Sequence, residues 1–101
     1  MTVVLFFEWD NPLDEQRMKQ YRKFASESTF WKEKTEEGLV KSYSTFADTA
    51  SSRHIMGFFE FKDWGDLSKV MGSKEFQGGT RRFSYMVDNL RYRLLRPTVP
   101  V

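Results

Sequence analysis

The chain has no cysteine. That absence excludes disulfide staples, thiolate metal sites and cysteine nucleophiles, and it fits a reducing compartment. Histidine occurs once, at His54. A lone imidazole without cysteine or ligand-spaced carboxylates does not make a metal centre, so neither a metal nor another cofactor is expected. Charge of one sign is scarce too. Sixteen Lys and Arg against 14 Asp and Glu leave a net +2, too little to organise a surface around a polyanion. Long apolar runs are missing. Val3-Val4-Leu5-Phe6-Phe7 has no basic leader before it, and it falls far short of the roughly 20 residues of a membrane span. A cytoplasmic protein with no membrane partner is expected. No repeat, linker, low-complexity segment or catalytic signature is present.

What the chain has in excess is aromatic residues, at 17% of 101 positions, led by ten Phe and three Trp. One domain of this length has a single small core. The surplus of rings points to an aromatic-lined pocket or a buried subunit interface. From Val70 onward, Lys74, Arg81, Arg82, Arg91, Arg93 and Arg96 face only Glu75 and Asp88, which allows a local basic patch.

Thr2 to Trp9 is β-branched and aromatic and reads as a strand apolar on both faces, hence central in its sheet. Asp10-Asn11-Pro12 stops it and starts a helix, with Asn or Asp as cap and Pro in the first turn. Met18, Tyr21, Ala25 and Ser28, with Phe24 beside them, recur at helical spacing and predict a buried face. Phe30 to Thr35 adds a further turn or two, ended by Gly38. Leu39 to Ala47 is a second, more polar strand nearer an edge. A turn follows, and then Arg53 to Lys62, the central strand of a hairpin. Its Ile55, Gly57, Phe59 and Phe61 point one way, towards helices. His54, Met56, Phe58, Glu60 and Lys62 point the other. Asp63 caps the next helix, with Asp66 in the capping-box place. Gly78-Gly79 is expected to interrupt that helix before it resumes to Val87. Asp88-Asn89 reads as a turn, Leu90 to Leu95 as the last strand, and Pro97 and Pro100 as marking an extended tail.

Strand, helix, strand, strand, helix, strand is the ferredoxin-like α+β order: a four-stranded antiparallel sheet with helices on one face. Val4, Phe6, Met56 and Phe58 then share the other face, which is too apolar for water. A homodimer with two sheets facing each other across a cavity would cover it.

Phe61-Lys62-Asp63-Trp64-Gly65-Asp66-Leu67, Gly72-Ser73-Lys74-Glu75-Phe76-Gln77 and Val87-Asp88-Asn89-Leu90-Arg91-Tyr92 together resemble the dimeric α+β barrels that include antibiotic-biosynthesis-type monooxygenases. The resemblance covers most of the chain and lies in fold residues. It implies a single domain over 1–101 and a small apolar, aromatic or polyketide-like ligand. Relatives range from cofactor-free oxygenases, haem-degrading enzymes and isomerases to members with no known reaction, so fold alone does not assign chemistry. The haem-degrading members place an Asn, a Trp and a His in the pocket. Here the first strand has no Asn and the only His lies in the third strand, so haem is not expected.

The topology brings Glu8, His54 and Arg91 to one end of the non-helical face. There Glu8 could orient His54 as a general base, while Arg91 or Arg93 holds an anionic substrate or enolate. Phe6, Met56 and Phe58 would line the substrate cavity. The plainer reading is a cross-strand ion pair of Glu8 with Arg91, and a hydrogen-bonded strand-end His54. Trp9, Trp31 and Trp64 could wall an aromatic pocket, but core and helix packing is the plainer role and, for Trp31 and Trp64, the expectation. Tyr43 and Tyr92 fall with the helix-facing set. RNA-recognition modules share this element order, and Gly57-Phe58-Phe59-Glu60-Phe61 partly fits their third-strand motif. Met56 and Ile55 stand where that motif needs an aromatic and a Gly, and the charge is low, so nucleic acid is the disfavoured partner.

Overall fold

A computed structural model describes residues 2–98, which leaves Pro100 outside the described residues. The elements run β1 (Val3–Asp10), α1 (Glu15–Glu27), α2 (Phe30–Glu36), β2 (Ser42–Ala47), β3 (His54–Phe61), α3 (Trp64–Met71), α4 (Lys74–Met86) and β4 (Asp88–Leu95). All strand pairs are antiparallel, in the order β2-β3-β1-β4. This is the ferredoxin-like α+β arrangement, and β1 is central as its two apolar faces require. Phe6 lies between Phe58 on β3 and Arg93 on β4, and Glu8 lies between Met56 and Arg91.

The core forms on the helix side of the sheet. Val3, Leu5, Phe7 and Trp9 from β1 join Phe59 and Phe61 from β3, and Leu67, Val70 and Phe76 pack on them from α3 and α4. Burying each such side chain is worth about 1.5–3 kcal/mol. Within β3, Gly57 is required by packing: a Cβ there would sit 2.9 Å from Phe59 Cε2. The Phe59 ring cannot yield freely, since Trp31 lies on it with centroids 4.0 Å apart.

Local signals fix the helix ends. Asp14 accepts from the Arg17 amide at 3.1 Å, so it is Asp14, not Asp10 or Asn11, that caps α1, and Pro12 precedes the helix. Gly38, with φ 82, takes the left-handed position after α2 that favours glycine. Asp63 accepts from the Asp66 amide at 2.8 Å and caps α3. The break in the second crossover falls at Gly72-Ser73, where Ser73 accepts from the Phe76 amide and starts α4. It does not fall at Gly78-Gly79: α4 runs straight through them, at a cost of about 1 kcal/mol apiece against alanine. β4 also begins earlier than expected. Asn89 adopts φ 56 at a register shift between Glu8 and Asp10, so Asp88-Asn89 forms a bulge inside the strand and not a turn before it.

The larger difference concerns α1 and α2. Neither contributes a fully buried residue. Tyr21 and Phe24 are half-buried, and Ala25 and Ser28 are exposed, so the expected buried face is missing. Both helices reach the core only through half-buried rings, Tyr21 from α1 and Phe30 and Trp31 from α2.

Candidate functional site

The gap they leave is a cleft of about 910 Å³ between the helix layer and the sheet, a size suited to a small organic ligand. Phe7, Trp9, Ile55 and Phe59 form its sheet side. Tyr21 and Phe24 of α1, Phe30 and Trp31 of α2, and Phe76 and Phe83 of α4 close around it. The rings brace one another. Trp31 lies on Phe59 at an interplanar angle of 30°, Phe30 meets Trp31 edge-on, and Phe83 meets Trp9 edge-on at 4.9 Å. Tyr43 of the edge strand also stacks on Phe59, at 12°, and is 44% exposed, giving the cleft an open end. Glu27, Glu33, Glu75, Lys74 and Arg82 also line it. Such a site offers flat apolar faces to a planar ligand and both charge signs to polar substituents.

A separate polar cluster occupies one end of the opposite sheet face. Here the register sets Glu8 beside Arg91, and Asp10 beside His54. His54 Nδ1 lies 2.7 Å from Asp10 Oδ1, and its Nε2 lies 3.1 Å from Glu8 Oε1. Arg91 and Arg93 donate to the two Glu8 oxygens at 3.1 and 3.4 Å. Asn89, held in its bulge, donates to Asp10 Oδ2 at 2.8 Å. The bond to Asp10, helped by the nearby charges of Asp10 and Glu8, outweighs partial desolvation and holds the His54 pKa above its ordinary 6.5. The Asn89 amide, and then His54, hold the Asp10 carboxyl below its usual 3.8. In its protonated form His54 spends both N–H groups on carboxylates and has no lone pair for taking a proton.

The structure thus gathers Glu8, His54, Arg91 and Arg93 as a group. Phe6, Met56 and Phe58 lie alongside on the same face: Phe6 meets Phe58 at 4.9 Å, and the Arg93 guanidinium stands 5.2 Å over the Phe6 ring. None of these seven residues lines the cleft. Phe58, the ring an RNA-recognition module would present, is wedged between Phe6 and Phe46. The cleft residues Tyr21, Phe24, Phe30, Trp31 and Phe83 read from sequence as packing. The signal that pointed to them was the aromatic surplus.

No protein-family model and no curated protein matches the chain. Solved structures do. A conserved protein from Methanosarcina mazei superposes with TM-score 0.78 at 13% identity, over 97% of this chain and 94% of that one. A candidate antibiotic biosynthesis monooxygenase from Deinococcus radiodurans gives 0.75 at 9% identity, over 98% and 95%. SnoaB, a cofactor-independent oxygenase from Streptomyces nogalater, gives 0.69 at 9% identity, over 99% and 98%. The chain therefore has the α+β fold of the antibiotic-biosynthesis-monooxygenase-like proteins, along its whole described length. Among the described residues no helix is long and apolar enough to cross a membrane.

The polar cluster makes stability depend on pH. A raised folded-state pKa means that His54 contributes its full stabilisation below about 6.5 and loses it as pH climbs through the higher folded value. Asp10, with a lowered pKa, contributes above 3.8 and loses it as pH falls through the folded value. Urea midpoints of the wild-type protein should decline as pH rises from about 6.5 through the His54 titration, and level off above it. His54→Gln should start lower and stay flat over that range. Parallel curves would show that the imidazole gains nothing from its carboxylates.

Proposed function

We propose that the protein is a monooxygenase-like protein without a prosthetic group, and that it takes a small aromatic or polyketide-like molecule into the cleft of each chain. The observation that carries this reading is the cleft itself. A chain of this size leaves two helices without a buried residue and braces rings from every layer around the gap. Without a cofactor, electrons for dioxygen come from the substrate. An anthrone, for example, would become the quinone, with one oxygen atom entering the ring as a ketone and the other leaving as water. The rings would orient the substrate and keep out water. Lys74 and Arg82, the cations among the lining residues, would stabilise the anion formed when the substrate loses its proton.

A base role for His54 and Glu8, with Arg91 and Arg93 as anion holders, requires the substrate on the open sheet face against Phe6, Met56 and Phe58. A second reading, binding without turnover, draws support from His54: both its nitrogens are committed to carboxylates outside the cleft. Oxygen uptake with anthrone, corrected for autoxidation, separates these readings. Turnover that falls at least about tenfold in Trp31→Leu and stays within about twofold in His54→Gln is expected. A loss on the order of 100-fold in His54→Gln, the lower end of a general base's contribution, would move the chemistry to the open face. Ligand binding with no oxygen uptake would leave the binding protein.

We infer also that a second copy covers the open face. Phe46 is 54% exposed there and Leu95 38%, beside Phe6, Met56 and Phe58. An apolar surface of this kind is what a second copy would cover about a two-fold axis. Native mass spectrometry should give twice the chain mass for the wild type and a monomer for Phe58→Glu. A wild-type monomer at micromolar concentration would reject the dimer.

A further inference from the structure

Along α4 the inward stripe runs Phe76, Gly79, Phe83, three and then four residues apart, which places them on one helical face. Phe76 is buried, and Phe83 packs on Trp9, Tyr21 and Phe24. The middle position of the stripe has no side chain, and neither does its neighbour Gly78. Among the described residues, a Cβ added at either glycine would meet no heavy atom within 4 Å. Glycine is a poor helix former, so alanine at both positions would suit the isolated fold better. The pair nevertheless lines the cleft.

A second, independent observation lies across the cleft. Trp9 is only 7% exposed and its ring lines the same space, yet its indole N–H is buried with no acceptor among the described residues. Buried donors are ordinarily paired, because an unmade hydrogen bond is costly. Phe83, edge-on against Trp9, lies one helical turn beyond Gly79. Reaching the buried indole nitrogen from the cleft requires that ring to turn aside, beside the helix stretch free of side chains.

We propose that the ligand lies flat on the Gly78–Gly79 backbone of α4 and accepts a hydrogen bond from Trp9 Nε1 through a carbonyl or phenolic oxygen at its inner end. This deepens the cleft reading and rests on it: the glycine pair sets the width of ring system admitted, and Trp9 selects for oxygen on it.

Calorimetric titration with two soluble probes of equal width tests the assignment: anthraquinone-2-sulfonate, which has ketone oxygens, and anthracene-2-sulfonate, which has none. The wild-type protein should bind the quinone about tenfold tighter, in line with one hydrogen bond. Trp9→Phe should bring the quinone down to the anthracene level and leave anthracene binding unchanged. Gly79→Ala should raise the Tm while weakening both probes at least about tenfold. Equal wild-type affinities, or a Trp9→Phe protein that keeps the quinone preference, would overturn the role of Trp9 whether or not other variants fold. Unchanged binding or a lowered Tm in Gly79→Ala would overturn the role of the glycines. A wild-type protein that binds neither probe would remove the cleft reading itself, and this one with it.

Discussion

The stack of Trp31 on Phe59, 4.0 Å between centroids, sets how far α2 stands from the sheet. Phe59 belongs to the central hairpin strand, and Gly57 beside it leaves room for its ring. Trp31 is too large to let the helix settle onto the strands, so the crossover from β1 to β2 arches over them. At its start the same crossover is tied down by charge. Asp88 bridges Arg17 of α1 and Arg53, which precedes β3, while Arg53 also reaches the Asn11 carbonyl at 2.7 Å. An arch pinned at one end by guanidinium pairs and propped at the other by a ring must enclose space. The cleft follows from those two attachments.

The sheet therefore has two faces with different tasks. Towards the helices it offers rings to a cavity. Away from them it carries the apolar Phe6, Met56, Phe58 and Phe46, with the Glu8–His54–Asp10 cluster at one end. Antiparallel pairing alone assembles that cluster, since residues opposite each other on adjacent strands have neighbouring side chains. Its charges nearly balance, and both nitrogens of His54 are bonded to carboxylates. Such a cluster helps fix strand register.

Much of this was legible in the residues. Alternation along β1 and β3 gave the faces and the strand order, Asp63 and Gly38 gave helix ends, and the gathering of Glu8, His54 and Arg91 followed from the topology. The cleft was not legible, for a physical reason: Tyr21, Phe24 and Phe30 recur at the spacing of a packed helix face, and periodicity does not distinguish a face pressed on a sheet from one standing off it. Gly78-Gly79 misled in the opposite direction. Glycine suggests a break when propensity is the only term considered, but the capped start at Ser73 and the packing of Phe76 and Phe83 carry the helix through. Asn89 was read as a turn because its left-handed preference is the same in a bulge.

A ¹H–¹⁵N NMR titration with anthraquinone-2-sulfonate decides whether the ligand binds on the helix side of the sheet. The three indole resonances act as reporters: Trp9 and Trp31 line the cleft, and Trp64 does not. Binding there shifts the Trp9 and Trp31 indoles and the Gly78 and Gly79 amides, with Trp64 and the amides of Phe6, Met56 and Phe58 holding still. Shifts centred on Phe6, Met56, Phe58 and His54, with the cleft indoles unmoved, would contradict it and place the ligand on the open face.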